Sequence, residues 1–431
     1  MNNKLTPNTK NIEMVVKKDL CTGCGTCAGI CPKNAIEMIV DSRKGIYLPQ
    51  IVQEACNDCG ICLNVCPGHE VNFKLLNNEF FGQEPEDLLL GNYINCYTGY
   101  ATDYEIRYNS ASGGLITALL IFALEEGIID GALVTKMRDD RPLEPQPFIA
   151  RTREEIISAS CSKYCPVPAN IALKEILKND GRYAVVGLPC HIHGIRKAEK
   201  INKKLKQKIV LHLGLWCSTT CNFFGTEFVL KKLGISKKGV EKLNYRGEGW
   251  PGGMSVQLNN ERKRFISLSD YWDDNFSSFT PSRCRLCIDA NAELADISFG
   301  DYRGHDAYQK EKIGCSGIIS RNFNGEYILQ QMLIKKKVEI WKISSSDIAT
   351  HQSYFYSKKR LKACSRLFRL LGKSSPIYET KLLKPSFYTY LSQILLHSRT
   401  LLASKRYLWG FLKAYTFMLR FASNIKSRLK L

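Results

Sequence analysis

The sequence predicts three consecutive parts: a small α+β module rich in cysteine, an α/β domain whose sheet is covered by helices, and a basic helical tail. Three observations support this division. A four-cysteine run occurs twice near the N-terminus, short apolar runs alternate with helix-like segments further on, and positive charge collects at the C-terminus. We place the three parts at residues 1–80, 93–357 and 358–431.

The N-terminal module carries the run CTGCGTCAGICP from Cys21 and the run CNDCGICLNVCP from Cys56. Both show the spacing C-x2-C-x2-C-x3-C followed by proline. This spacing is typical of two 4Fe-4S clusters in which the fourth cysteine of each run ligates the other cluster. The segment therefore resembles a bacterial-type two-cluster ferredoxin. The two expected ligand sets are Cys21, Cys24, Cys27 and Cys66 for one cluster, and Cys56, Cys59, Cys62 and Cys31 for the other.

Two zinc sites are the alternative interpretation of these cysteines, because zinc also binds C-x2-C pairs. A zinc site uses two such pairs and needs neither the third cysteine of each run nor the proline that follows. The spacing therefore favours iron-sulfur clusters over zinc.

The positive charge is concentrated in the tail. The chain has a net charge of +20, but residues 358–431 hold 17 Lys and Arg against one acidic residue, leaving 44 basic and 40 acidic residues before them. Iron-sulfur clusters with four thiolates add negative charge to that nearly neutral body. The overall charge therefore does not predict a nucleic-acid partner, and we expect none.

The N-terminus and the apolar stretches predict a cytoplasmic protein. The first residues contain no apolar export segment, and no stretch of 18 consecutive apolar residues occurs. We therefore expect the 18 cysteines to be reduced thiols or metal ligands and not disulfides.

The middle of the chain shows the alternation of an α/β domain. The segments GALVT, RYAVVG, KIVLHLGLW and ADISFGD have the length and composition of strands, whereas LITALLIFALEEG and EFVLKKLG have helical periodicity. Ligands of such domains gather where loops leave the strands. Residues that bind a ligand or take part in a reaction are therefore expected at the strand ends.

Cysteines follow two of these strands, and a C-x2-C pair precedes another. Together they supply four thiolates, enough for a third 4Fe-4S cluster, although a single cysteine at a strand end is more often a small buried hydrophobic residue. The predicted ligands are Cys190, Cys217, Cys284 and Cys287. Three further cysteines with less usual spacing are weaker candidates, namely Cys161, Cys165 and Cys221.

Two glycine-containing segments are candidate cofactor sites. SASGG, Ser110 to Gly114, directly precedes a predicted helix, where backbone N–H groups can bind a phosphate. A plain helix cap is the alternative. YRGEGWPGG, from Tyr245, offers an arginine to a phosphate or acidic substrate, unless it is a surface loop with a solvated arginine. The candidate binding residues are Ser112, Gly113, Gly114, Arg246 and Gly247.

Several blocks of the chain resemble the family of coenzyme F-420 hydrogenase and dehydrogenase beta subunits, which includes the plant 7-hydroxymethyl chlorophyll a reductase. These blocks are YNSASGGLITALLIFALEEGIIDGALV, VVGLPCHIHGIR, LGLWC, YRGEGWPGG and CRLCIDANAELADISFGD. The resemblance implies FAD beside a 4Fe-4S centre, with the ligands of that centre at the four cysteines predicted above. Where many members have DFW, this chain has DYR from Asp301, which leaves the substrate open.

The sequence thus predicts an FAD and iron-sulfur oxidoreductase. Clusters carry single electrons and most organic substrates take two, so a flavin is needed between them. The expected partners are an electron donor or acceptor protein and a small two-electron substrate such as a deazaflavin. The alternatives are a non-catalytic electron-relay subunit and a redox-regulated interaction protein with structural clusters. No catalytic side chain is predicted.

The basic tail predicts contact with an anionic membrane surface at the inner face. Four basic residues recur every seven residues, so one long helix would carry a basic stripe beside an aromatic face. The alternative is a helix packed on the body or on a partner. The stripe comprises Arg399, Arg406, Lys413 and Arg420.

Overall fold

The structure is a computed structural model that describes residues 11–273, 276–304, 312–359, 361–412 and 414–415. It contains four separate β-sheets. In chain order their strands are β1 Ile36–Asp41, β2 Ile46–Ile51, β3 Glu70–Asn72, β4 Asn95–Ala101, β5 Gly131–Met137, β6 Pro145–Ala150, β7 Tyr183–Gly187, β8 Ile209–Leu215, β9 Val240–Asn244, β10 Gly253–Leu258, β11 Lys263–Ser267, β12 Ile297–Asp301, β13 Ser316–Ser320, β14 Val338–Ile343 and β15 Ile377–Glu379.

Along the sequence, helices occur between the strands of the main sheet and also before the first and after the last of them. They are α1 Glu13–Lys17, α2 Thr26–Gly29, α3 Ile61–Asn64, α4 Phe73–Phe81, α5 Tyr104–Tyr108, α6 Leu115–Glu125, α7 Arg153–Ser158, α8 Leu173–Lys178, α9 Pro189–Ile201, α10 Lys203–Lys208, α11 Phe223–Lys232, α12 Leu268–Asp273, α13 Ser282–Arg285, α14 Phe323–Ile334, α15 Ser345–His351, α16 Ser353–Lys359, α17 Lys362–Leu370 and α18 Phe387–Ala403.

The body is built on an eight-stranded mixed sheet with the order β14-β4-β13-β12-β8-β7-β5-β6. The four strands β12, β8, β7 and β5 run parallel in its centre, and antiparallel strands complete both edges. These four central strands are the four predicted from the sequence. Most of their residues are buried and none is exposed, which explains why they read as continuous apolar runs. The predicted α/β body is confirmed.

The N-terminal module repeats one local structure around its two cysteine runs. Each run continues into a single helical turn, α2 or α3, and the residue before each turn is a glycine with positive φ, Gly25 at 82° and Gly60 at 74°. Glycine adopts this backbone conformation without a steric penalty. The hairpin β1–β2 lies between the two runs and pairs in antiparallel register.

The module and the body share one hydrophobic core. Buried side chains of the module, such as Val65, contact the same cluster as Ile192 of α9 and Leu286 near the CRLC pair. Phe368 of α17 belongs to that cluster as well. The three predicted parts are therefore packed together, and their exact bounds stay a prediction.

The predicted single long helix of the tail is wrong. Helix α18 ends at Ala403, and Arg406 begins a short 3-10 turn whose guanidinium bonds Glu227 of α11 at 2.8 Å. Arg399 and Arg406 therefore do not continue one helical stripe. The remaining members of that stripe, the Lys413 side chain and Arg420, lie outside the described residues.

The chain after α18 returns to the body. Trp409 is 5 % exposed, and its ring lies 5.4 Å from Phe228 and 5.7 Å from Phe279. This packing agrees with the alternative in which the tail folds onto its own body. Within the described residues no helix is both long and apolar enough to cross a membrane.

We expect Trp409→Ala to destabilise the protein by about 3–5 kcal/mol, because it leaves a cavity between two buried rings. Phe411→Ala is the matched control, since that side chain is 67 % exposed and its loss should change stability by less than about 0.5 kcal/mol. Denaturant unfolding of the two variants measures both effects. Equal stabilities would show that the segment after α18 is not packed on the body.

Candidate iron-sulfur and cofactor sites

The first predicted ligand set lies in the interior of the N-terminal module. Backbone N–H groups of Gly23 and Gly68 donate to the sulfurs of Cys21 and Cys66 at 3.4 and 3.3 Å. Burial, and after it the neighbouring Cys24 thiolate, raise the pKa of the Cys66 thiol to about 11. Free thiolates are thus unfavourable here without a positively charged group among them. This donor set fits an iron core, which supplies that charge.

The second predicted set lines a small cavity of about 20 Å³ near the surface. Cys31 reaches this cavity from the first run, while three cysteines of the second run reach it from the other side. Cys59 is exposed, in contrast to the buried Cys24 and Cys27 of the first set. Cys31 thus lies with the cysteines of the second run, while its role as their fourth ligand stays a prediction. The cavity is lined by Cys31, Cys56, Cys59 and Cys62, among other residues.

The third predicted set converges where the parallel strands end. Cys190 is the second residue of α9, which follows β7, and Cys217 follows β8. Cys284 lies in α13, and Cys287 comes just after it. All four thiols interact electrostatically with one another around Cys190. The structure therefore brings together the four cysteines that the sequence grouped.

The three sets follow one another in space. Burial raises the pKa of Cys190, and the strongest electrostatic neighbour is Cys24 of the first set. Cys62 of the second set is in turn a neighbour of Cys27 of the first set. The order is thus an exposed outer set, a buried inner set and the third set. In the described part of the chain, no three His, Cys, Asp or Glu side chains are arranged to hold a single metal ion.

Two histidines beside Cys190 have structural roles. The Nδ1 atom of His191 accepts from the backbone N–H of Leu188, and burial lowers the pKa of this ring to about 4. His193 bonds Asp289 at 2.7 Å, and both side chains are buried. Asp289 in turn accepts from two backbone N–H groups of the loop that follows Cys287. These contacts hold the third site in place.

Sequence reasoning missed three cations at the cysteine sets. Lys197 donates to the carbonyl of Cys66 at 2.8 Å, and Arg283 donates to the carbonyl of Gly68 at 2.7 Å. The Lys358 ammonium lies 3.5 Å from the carbonyl of Cys284. Arg283 directly precedes CRLC, and this was the one available signal, because a cation beside two ligands balances thiolate charge.

The two candidate cofactor segments meet at Arg246. Its Nη2 atom donates to the carbonyl of Ala111 at 2.5 Å, and its Nη1 atom pairs with Asp301 at 3.1 Å. The guanidinium is 2 % exposed, so the alternative of a solvated arginine is wrong. Its buried Nε atom has no hydrogen-bond partner within the described residues. That donor is available to a bound group.

The glycines of SASGG serve packing as well as any ligand. Gly113 donates its N–H to Ser316 Oγ at 3.0 Å, and a Cβ there would lie 2.6 Å from the carbonyl of Gly99. Gly114 caps α6 with φ of 74°. The N–H of Gly113 is therefore already bonded within the protein, and the role of this segment as a phosphate site stays a prediction. Ser112 shares a 2.6 Å hydrogen bond with Ser316.

The remaining candidate cysteines lie near the third set and the second cofactor segment. Cys165 and Cys221 are buried in the core that includes residues of β9 and β10, and Cys221 interacts electrostatically with Cys284 and Cys217 of the third set. Their weaker candidacy as ligands stays a prediction. Cys161 donates to the carbonyl of Asn109 at 2.9 Å. A Cβ on Gly247 would lie 3.7 Å from its sulfur, so Cys161 borders the second candidate site.

Comparison with known proteins shows which family has this arrangement. Residues 96–174 and 180–346 match the N-terminal and C-terminal profiles of the coenzyme F420 hydrogenase/dehydrogenase beta subunit. The beta subunit of coenzyme F420 hydrogenase from Methanothermobacter thermautotrophicus is 30 % identical over 251 residues, covering 57 % of this chain and 83 % of that protein. The chain belongs to this family. The predicted resemblance is confirmed.

Other matches extend the comparison. Residues 20–69 match a 4Fe-4S dicluster domain, which confirms the ferredoxin-type module, although the ligand assignments stay predictions. The coenzyme F420-dependent sulfite reductase of Methanocaldococcus jannaschii is 28 % identical over 349 residues, covering 76 % of this chain and about half, 48 %, of that protein. A chain of the F420-reducing [NiFe] hydrogenase complex from Methanosarcina barkeri has the same fold, with a TM-score of 0.55 and 24 % identity, covering 68 % of this chain and 98 % of that one. The chain is thus an iron-sulfur protein of an oxidoreductase family.

Proposed function

We propose that this family member is an iron-sulfur flavoprotein oxidoreductase. It passes electrons between two ferredoxin-type 4Fe-4S clusters, a third cluster and FAD, and thereby exchanges two electrons with an organic acceptor. The names of its relatives make coenzyme F420, a deazaflavin, the first acceptor to test. The observation that carries the proposal is the succession of cysteine sets from the exposed Cys59 to Cys190 at the end of the parallel strands.

FAD fits the second candidate site by its chemistry. The free Nε donor of Arg246 suits a phosphate or a flavin carbonyl, and Asp301 fixes the guanidinium that carries it. Ser112 and Gly247 border the same place. When bound, FAD exchanges single electrons with a cluster and electron pairs with an organic molecule. The chain itself would orient that group and exclude water from it.

A non-catalytic electron relay is the second candidate function. The M. thermautotrophicus relative is named as a subunit, and the M. barkeri chain comes from a complex, which favours a protein partner for this chain. An exposed outer cluster would suit contact with such a partner. A relay transfers electrons only with its partner, whereas the enzyme turns over a small substrate alone.

We also propose a peripheral contact between α18 and an anionic membrane surface at the cytoplasmic face. Its apolar side chains Phe387, Leu391 and Ile394 are exposed. Basic residues precede the helix at Lys381 and Lys384. Such a combination favours the interfacial zone of an anionic bilayer.

The third cluster predicts an iron content of about 12 per chain in anaerobically reconstituted protein, against about 8 for the ferredoxin-type module alone. The double variant Cys284→Ser and Cys287→Ser should lose about four irons. Cys31→Ser is the matched control, because it should disturb the outer cluster only. An iron content that stays near eight in the wild type would remove the third cluster from the proposal.

The enzyme should contain about one FAD per chain and reduce F420 with an artificial electron donor and no partner protein. Arg246→Lys keeps a charge beside Asp301 but loses the Nε donor, so flavin occupancy should fall. Lys263→Met is the control, since this lysine pairs with Glu248 of the same loop and is exposed. Flavin release and fluorescence measure occupancy. Wild-type protein that binds no FAD would favour the relay.

Membrane contact predicts flotation with anionic vesicles at low salt and its loss at high salt. Leu391→Glu and Ile394→Glu should abolish flotation without unfolding the chain, because both side chains are exposed. Thr389→Glu, on the same helix but close to its N-cap, is a control for added negative charge. Absence of flotation at low salt would end the membrane proposal.

A further inference from the structure

The segment after residue 357 lies beyond the matched family profile, which ends at residue 346, yet it contacts the cysteine sites directly. Strand β15 pairs in parallel with β3 of the N-terminal module, with Tyr378 opposite Val71. The N–H of Ile377 donates to the carbonyl of His69 at 2.8 Å. The C-terminal segment thus adds strand β15 to the ferredoxin-type module. The contact begins at His69, three residues after the last cysteine of that module, Cys66.

Tyr378 joins that module to the loop of the third set. Its hydroxyl oxygen accepts from Arg283 Nη2 at 2.8 Å, and the same hydroxyl donates to the carbonyl of Leu286 at 3.1 Å. Arg283 also donates to the carbonyls of Pro67 and Gly68. One buried hydroxyl and one guanidinium therefore connect the end of the second cysteine run with the CRLC pair.

A second contact holds the other side of the same loop. Arg285 lies 2.9 Å from His397 Nδ1 and donates at 2.9 Å to the carbonyl of Gln393, both on α18. The guanidinium lies 5.2 Å above the ring of Phe368 in α17. The two arginines that flank Cys284 are thus both fixed by the C-terminal segment.

Lys358 brings a positive charge to the third set. Its ammonium is 3.5 Å from the carbonyl of Cys284 and interacts electrostatically with Cys217, Cys284 and Cys287. The next residue, Lys359, forms a buried ion pair with Glu293 at 3.0 Å, which fixes the end of α16. The ion pair of the neighbouring residue therefore helps to fix the position of Lys358.

We propose that residues 358–403 are a functional part of the electron path: Tyr378 holds the third-cluster loop against the ferredoxin-type module, and Lys358 favours the reduced third cluster. This inference rests on the proposed third cluster. A cluster gains one negative charge on reduction, so a nearby cation raises its reduction potential. The third cluster is therefore the favoured acceptor for an electron that leaves the inner cluster.

The experiment is an EPR-monitored redox titration of anaerobically purified full-length protein. Lys358→Met should shift the electron distribution about tenfold away from the third cluster, a potential lower by about 59 mV for one electron. Lys358→Arg keeps the charge and should retain the wild-type potential. Lys362→Met is the matched control, because this lysine is exposed in the same segment.

Tyr378→Phe tests the second half of the proposal. It removes only the hydroxyl, so rapid-freeze EPR after reduction should show slower electron transfer from the two clusters of the ferredoxin-type module to the third cluster. The potential should stay unchanged, since no charge is lost. If Lys358→Met does not retain its third cluster, Tyr378→Phe still tests whether the C-terminal segment takes part in electron transfer.

Three outcomes separate the inference from the function beneath it. A third-cluster potential that Lys358→Met leaves unchanged overturns the role of Lys358. A transfer rate that Tyr378→Phe leaves unchanged overturns the role of Tyr378. Wild-type protein without any third-cluster signal overturns the third cluster of the proposed function itself.

Discussion

The contact between Arg283 and the chain after Cys66 is the interaction on which the arrangement of the cysteine sets depends. The guanidinium is buried, next to Cys284 in sequence, and bonded to two carbonyls of the N-terminal module. A buried charge is unfavourable unless its hydrogen bonds are satisfied, and here three acceptors satisfy it. The loop of the third set and the module can therefore occupy few relative positions.

The sheet supplies the other half of that geometry. Parallel strands deliver their following residues to one edge, so Cys190 after β7 and Cys217 after β8 arrive side by side. Buried ion pairs then stiffen the helix that carries Cys190, since Arg196 of α9 pairs with Asp296 at 2.7 Å. The third set is thus positioned by a rigid scaffold and not by a flexible loop.

Sequence reasoning predicted the four central strands and grouped twelve cysteines into three candidate ligand sets, because apolar runs and cysteine spacing are local signals. It did not predict the antiparallel edge strands β4, β13 and β14, whose pairing joins distant segments. It also missed Lys358 and Tyr378. Both act through contacts between segments that are distant in the sequence. From its charge alone, the part of the chain that holds them was predicted only to be a basic helical tail.

The SASGG segment shows a related limit. Glycine beside a helix start is typical of a phosphate site, yet at Gly113 the absence of a side chain is required by the close approach of Gly99. The same residue type satisfies two physical demands, and only the three-dimensional structure separates them. Arg246 shows the converse, because a loop that looked exposed buries its charge.

The exposure of Cys59 has a consequence for the lifetime of the molecule. A sulfur ligand that protein partners can approach is also open to oxidants, and Cys59 is the one exposed thiol among the candidate ligands, since the others are buried or partly buried. Oxidative damage should therefore begin at the outer set. A chain damaged in this way would lose its contact point for electron exchange before it loses its other centres.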